Sequence, residues 1–341
     1  MKAVVCTALG GPQVLKVKDW PSRPPGPGEA RVAVFAAGVN FGDLLVIAGR
    51  YQVKLAPPFV LGTEAAGIVM DCGAGVENVQ AGDRVLVQNN DVRECFADDV
   101  TLPASRVVHV PRELSLIDIA GFPLNFGTSY YALAHRAKLA QGEVLAVHGA
   151  SGGVGLAAVK LGKMMGATVI ATGGDDEKLR AVKAAGADYV VNYRTACLGE
   201  RIRELTDGRG ADVSLDPVGG DVFDEALRST AIDGRVIVVG FASGRIPSAP
   251  ANRILFGALS IIGAPYGGFT RRNPAAWARM MAGLLEKVRA GELKPLIHAR
   301  YPFEQASAAL TMLAERKVVG KCVLVSERGV SERSVPPDIL P

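Results

Sequence analysis

The residues best suited to chemistry form a Gly-rich turn, Ala150-Ser151-Gly152-Gly153-Val154-Gly155. An apolar strand precedes it and an amphipathic helix follows at once. Small residues let the backbone approach phosphate oxygens, while unpaired amides and the helix dipole supply a positive end. The chemistry this points to is dinucleotide binding, usually put to redox use. Gly149 and Gly153 give Ser151 the outline of a hydrolase nucleophile turn, but here the glycines serve phosphate approach and no triad accompanies them. His109, His135, His148 and His298 have neither metal spacing nor a nucleophile partner, and His148, ending the strand before the turn, reads as structural. Further on, Ala171-Thr172-Gly173-Gly174-Asp175-Asp176 raises the question of an acid for a ribose diol. A spacing of about twenty residues nominates Asp175. Asp175 and Asp176 serve equally well as caps of the next helix.

These residues need a scaffold, and the chain shows two rhythms. Its first 120 or so residues hold short β-branched runs (14–17, 30–37, 65–70, 83–87) separated by turn signals such as Pro24-Pro25-Gly26-Pro27-Gly28, which suggests an antiparallel sheet or partial barrel. From Phe122 strands alternate with helical patterns, the strands falling at 144–148, 168–172, 189–192, 213–216, 235–240 and 259–263. Such units build a parallel, doubly wound sheet. A helix after Asn273-Pro274 and a strand–helix–strand over 298–325 return to the first domain, making it discontinuous. The polar tail from Glu327, with Pro336-Pro337, is expected to be loosely held.

At 341 residues, 49% hydrophobic and with 40 glycines, the chain has the length and composition of a two-domain α/β protein. A net charge of +4 without a Lys/Arg block argues against nucleic acid as a partner. Five scattered cysteines read as reduced thiols of a cytoplasmic protein. No apolar run is long enough for a membrane span, and the N-terminus lacks the apolar stretch of a signal peptide.

Four segments carry a resemblance: Gly38-Val39-Asn40-Phe41-Gly42-Asp43; Leu61-Gly62-Thr63-Glu64-Ala65-Ala66-Gly67-Ile68-Val69; the Gly-rich turn; and Asp216-Pro217-Val218-Gly219-Gly220. Arg316-Lys317-Val318-Val319-Gly320-Lys321 closes the pattern. Together they resemble the medium-chain dehydrogenase/reductases, and more narrowly their zinc-free quinone oxidoreductase branch. The resemblance implies an α/β fold: a GroES-like β-rich catalytic domain (1–121 and 265–341) and a doubly wound Rossmann dinucleotide-binding domain (122–264). It also implies a homodimer, joined through the edge strand of the nucleotide-binding sheet.

The same resemblance places the catalytic-zinc ligand positions of alcohol dehydrogenases at Asn40, Thr63 and Leu124-Asn125, none a usual zinc ligand. Only Cys95 lies in the structural-zinc lobe. No metal is expected, so the reaction expected is hydride transfer from a nicotinamide to a quinone or conjugated carbonyl.

Cofactor contacts are implied at Asn40, at Thr128 and Tyr130, which begin the helix that leads into the Rossmann domain, and at Ser151, Gly152, Gly153, Val154, Gly155, Thr172 and Gly173. Lys178 matches a lysine near the 2′-phosphate of NADPH, Tyr193 an aromatic near the ribose, and Gly173 the position of the NAD-binding acid, so NADPH is favoured over NADH. A lone lysine is otherwise a solvated helix residue. Gly240, Phe241, Ala242 and Ser243 follow the fifth strand at its carboxyl end, where ligands of open α/β sheets bind, and Lys321 is implied on the nicotinamide side. Catalytic candidates are Asn40, which can orient a carboxamide or acceptor; Asp43, equally a helix cap; and Tyr51, a proton donor or else a packed aromatic. Tyr51, Phe241 and Tyr266 are candidates for the substrate pocket. The competing readings are an enoyl thioester reductase, with Arg50 and Arg271-Arg272 as candidates for CoA phosphates, and an NADPH-binding structural or regulatory protein.

Overall fold

The computed structural model describes residues 1–89, 91 and 93–332. It divides into two units, Met1–Leu124 with Gly267–Pro341, and Asn125–Tyr266.

The first unit is built on a seven-stranded sheet. Its β-branched runs form strands Glu29–Gly38, Glu64–Cys72 and Arg84–Gln88, paired antiparallel, with Val107–His109 beyond them. Asp99–Pro103 also pairs with Glu29–Gly38. The C-terminal segment completes this sheet, with Lys321–Val325 antiparallel to the end of Glu29–Gly38 and Ile297–Pro302 on its outer side. A smaller sheet joins Leu15–Asp19, Lys2–Cys6 and Phe59–Val60. Val34, Ile47, Phe96, Leu102, Phe303, Leu310 and Leu324 meet in one buried core, so residues from both ends of the chain share it. That burial, at about 25 cal/mol per Å² of apolar surface, dominates the stability of the unit.

The second unit is a six-stranded parallel sheet ordered Tyr189–Asn192, Thr168–Gly173, Val144–Val147, Ala211–Asp216, Thr230–Val238, Ser260–Gly263. Counted in chain order this is 3-2-1-4-5-6, the Rossmann arrangement. The central strand Val144–Val147 is buried throughout, as strands covered on both faces are. Helix Gly153–Met164 turns Leu156, Ala157, Val159 and Leu161 inward.

Three local expectations need correction. The fifth strand begins at Thr230, because Asp233-Gly234, which looks like a turn, is a bulge within the strand; the register jumps from Ala211↔Thr230 to Val213↔Arg235. Thr128 and Tyr130 end rather than begin their helix, Phe122–Tyr130, which continues as a wider turn over Tyr131–Ala137 and stops at Lys138 in the left-handed region. The tail from Glu327 starts as a helix, Glu327–Glu332, capped where Ser326 Oγ accepts the Gly329 N–H; Pro336-Pro337 lie outside the described residues.

Candidate active site

In the second unit the Gly-rich turn is held by backbone. Ala150 N–H donates to Thr172 O (2.9 Å) and Gly152 N–H to Gly149 O (3.1 Å). A Cβ on Gly155 would lie 2.4 Å from Gly149 O and 2.7 Å from Ala150 Cα, so the turn and helix meet too closely for any side chain. A Cβ on Gly153 would strike the Asn125 amide at 2.3 Å. Gly152 differs: its Cβ would meet only Gly149 O at 3.4 Å, and as N-cap it offers no side chain to the first-turn amides. Nothing inside the fold demands a glycine there. A phosphate approaching those amides would, so the turn fits the pyrophosphate of a dinucleotide.

Around this turn, Thr172 is buried and its Oγ1 lies 3.0 Å from His148 Nδ1. Burial lowers the His148 pKa, against the pull of Asp216, in keeping with a structural imidazole. Gly173 O accepts the Tyr193 N–H (3.0 Å), and a Cβ on Gly174 would come within 2.9 Å of the Tyr193 ring and 3.0 Å of Arg194 Nε. Asp175 caps helix Asp176–Ala184, its Oδ1 accepting the Lys178 N–H at 3.0 Å, so this acid has a local structural task. The segment Gly240–Ser243 folds over the Asp216–Gly220 turn through Ala242 N–H to Pro217 O (3.1 Å) and Ser243 N–H to Val218 O (2.8 Å), leaving Phe241 exposed. Thr128 is buried, and Tyr130 stands edge-on to His135 at 5.8 Å. Tyr266 is buried against Tyr131, ring centroids 6.3 Å apart.

The first unit holds a buried polar cluster. Strand Glu29–Gly38 delivers Asn40, which precedes helix Phe41–Ile47 with Asp43 in its first turn. Asp43 Oδ2 accepts the Asn40 N–H at 2.7 Å, so the capping role is real. Asp43 is also fully buried, and Oδ1 has no full hydrogen bond, Thr63 offering only a weak side-chain interaction. Burial raises its carboxyl to about 7; the Asn40 amide and the Lys321 charge oppose the rise and Glu64 adds to it. Tyr51 is half-buried, and its phenol is pushed up by burial and by Asp43, with Arg271 acting the other way.

Lys321 occupies a place unlike that of an ordinary lysine before a terminal strand. Its ammonium is buried and donates to Glu64 Oε1 (2.6 Å) and Asn40 Oδ1 (2.5 Å). Asn40 Nδ2 donates to Glu64 Oε1 (2.9 Å) and Gly38 O (3.1 Å), and Glu64 Oε2 accepts the Leu124 N–H (2.7 Å). The sequence reading missed the Lys321–Glu64 pair, the Asn125–Gly153 contact and Arg194. No local pattern marks the first. The other two are flagged only by a glycine and a strand end beside them.

Two family models match the chain, the alcohol dehydrogenase GroES-like domain over residues 26–133 and zinc-binding dehydrogenase over 153–286. A rat protein, quinone oxidoreductase-like protein 2, is 37% identical over 95% of this chain and 91% of its own length. The chain belongs to the medium-chain dehydrogenase/reductases, in their quinone oxidoreductase-like branch. A quinone oxidoreductase of Pseudomonas aeruginosa is 33% identical over 95% of this chain and 99% of that protein. The Escherichia coli quinone oxidoreductase, solved in complex with NADPH, superposes with a TM-score of 0.88 at 28% identity, covering 95% of this chain and 100% of that one. The GroES-like and Rossmann expectation therefore holds, and this family member is an oxidoreductase of the quinone oxidoreductase type. One family model is described by zinc, yet among the described residues no three His, Cys, Asp or Glu side chains gather into a metal-holding group. Nor is any helix among them long and apolar enough to cross a membrane.

Proposed function

We propose that the chain is an NADPH-dependent reductase that delivers hydride to quinones or conjugated carbonyls without a bound zinc ion. The observation that carries this reading is the donor set around Asn40, where the cation is the Lys321 ammonium, already bonded to Asn40 and Glu64. Amide, ammonium and a paired carboxylate do not make a zinc site, which wants thiolate or imidazole. Without a Lewis acid, an acceptor that delocalises the incoming electrons is the reasonable substrate.

NADPH would supply the hydride. Ser151–Gly155 would hold its pyrophosphate, Gly173, Lys178 and Tyr193 its phosphorylated ribose, and Asn40, Thr128, Tyr130, Thr172, Gly240–Ser243 and Lys321 complete the contacts or their support. The short cap of Asp175 favours NADPH, because it commits that acid to the helix rather than to a ribose diol. Tyr51 would hydrogen-bond or protonate the reduced acceptor beside Asp43, and Phe241 would offer an apolar face. Leu255 and Phe256, both more than 70% exposed, lie in helix Ala251–Gly257 just before edge strand Ser260–Gly263, which supports a homodimer through that edge. All five cysteines are free thiols, in keeping with a reducing cytoplasm.

A CoA or carrier thioester is the second acceptor class, and one observation favours it: the charge of Arg271 reaches Tyr51. NADPH oxidation measured side by side with 1,4-benzoquinone, 9,10-phenanthrenequinone, an enone and crotonyl-CoA tests these readings. Consumption with the first three supports the proposal, and turnover confined to crotonyl-CoA makes this an enoyl reductase. Tight NADPH binding with no turnover leaves a structural or regulatory protein. Stoichiometric zinc whose chelation abolishes activity would overturn the metal-free reading.

A further inference from the structure

In the second unit Arg201, Arg209, Arg228, Arg235 and Arg245 each pair with an acid. Arg194 does not. Among the described residues its exposed guanidinium donates no hydrogen bond and joins no ion pair. Its backbone is nevertheless fixed. Asn192 Oδ1 accepts the Arg194 N–H (3.0 Å), and Asn192 O accepts the N–H groups of Thr195 (3.2 Å) and Ala196 (3.0 Å). Asn192 is tied in turn to the next helix, its Nδ2 donating to Asp176 Oδ1 at 2.8 Å. This turn lays Arg194 against the end of strand Thr168–Gly173, where a Cβ on Gly174 would lie 3.0 Å from Arg194 Nε. The Asp175 carboxyl there is held below its usual value, first by the Lys178 N–H and further by the charges of Lys178 and Arg194. Two cations therefore stand near one strand end.

We propose that Arg194 is a specificity-determining residue, the second cation after Lys178 for the 2′-phosphate of NADPH. Resting on the NADPH reading above, it supplies what Lys178 alone does not. Ionised Asp175 offsets much of one cation, whereas a phosphate monoester carries close to two negative charges near neutral pH. The guanidinium restores the positive balance and offers a fork of N–H donors to phosphate oxygens. Asp175 and Asp176 each have a local task, in the helix cap and on Asn192, so neither is posed to grip a ribose diol.

The test compares NADPH with NADH, and 2′,5′-ADP with 5′-AMP, two fragments that carry no nicotinamide. Each pair differs only by the 2′-phosphate. Dissociation constants come from calorimetric titration, with melting temperature as the control for folding. The wild type is expected to prefer NADPH and 2′,5′-ADP. Arg194→Gln removes the charge and keeps most of the stem; it should weaken both about tenfold or more, the worth of a charge-assisted hydrogen bond, and leave NADH and 5′-AMP unchanged. Equal losses with and without the 2′-phosphate would overturn the inference, as would full NADPH affinity in the folded variant. A wild type that binds NADPH no more tightly than NADH overturns the cofactor reading itself, and this inference with it.

Discussion

Replacing Asp43 by Asn should change how stability depends on pH, by an amount set by burial. The carboxyl is inaccessible, accepts one backbone N–H and is raised from 3.8 to about 7. At 1.36 kcal/mol per pH unit, that rise corresponds to about 4 kcal/mol. The sign follows from the raised value. Below about pH 4 the group is protonated in both folded and unfolded chains and its contribution is complete. Between about 4 and 7 the folded protein keeps a proton that the unfolded chain has released, so stability falls as pH rises. Above about 7 the loss is complete. Asn at this position keeps an oxygen for the Asn40 N–H but does not titrate, and any cost of its buried NH2 is the same at every pH. Urea unfolding at pH 5, 6, 7 and 8 measures this, followed by tryptophan fluorescence. Both tryptophans, Trp20 and Trp277, lie in the first unit, so the signal reports the unit that contains Asp43. Wild type should lose ground to the variant steadily from pH 5 to about 7, by a few kcal/mol, and then run parallel to it. A difference that does not move with pH, or one that moves the other way, refutes the argument that burial outweighs the partners of Asp43.

Gly152→Ala and Gly155→Ala separate ligand space from fold space: the first should leave the melting temperature unchanged while weakening NADPH binding, whereas the second should destabilise by about 1–3 kcal/mol through overpacking against Gly149 O. Thermal melts and NADPH titrations of both variants check this. Lys178→Ala should weaken NADPH binding about tenfold and leave NADH binding alone, read from paired titrations. Tyr51→Phe should lower kcat by about 100-fold or more with the melting temperature retained, and unchanged turnover would reduce Tyr51 to packing.

What could be read from the chain was what neighbours in sequence decide. Strands such as 29–38 and 64–72 announce themselves by β-branched runs between turn signals, and the turn at 150–155 by strand, glycines and helix in succession. The Asp175 cap was visible because it is closed within three residues. The start of the fifth strand is hidden for the same reason: a local turn signal such as Asp233-Gly234 cannot reveal that a neighbouring strand absorbs it as a bulge. Lys321 and Glu64 stand 257 residues apart, and a lysine on its own is ordinarily solvated. Only the sheet pairing of Lys321–Val325 with Glu29–Gly38 brings them together, and periodicity carries no trace of it. Asn40 could be singled out by resemblance, but the orientation of its amide depends on that distant ammonium.

The Lys321–Glu64 pair also bears on how the polypeptide can be made. Glu64 is sealed from water, and its counter-charge sits near the far end of the chain. A carboxylate stranded in an interior without its partner costs about 3–5 kcal/mol, a large share of the margin by which a domain stays folded. During synthesis the amino-terminal sheet therefore has to wait for residue 321 to leave the ribosome, while the nucleotide-binding unit, continuous in sequence, can fold ahead of it. A chain stopped just short of Lys321 should leave a nascent first unit open to proteolysis beside an intact second one.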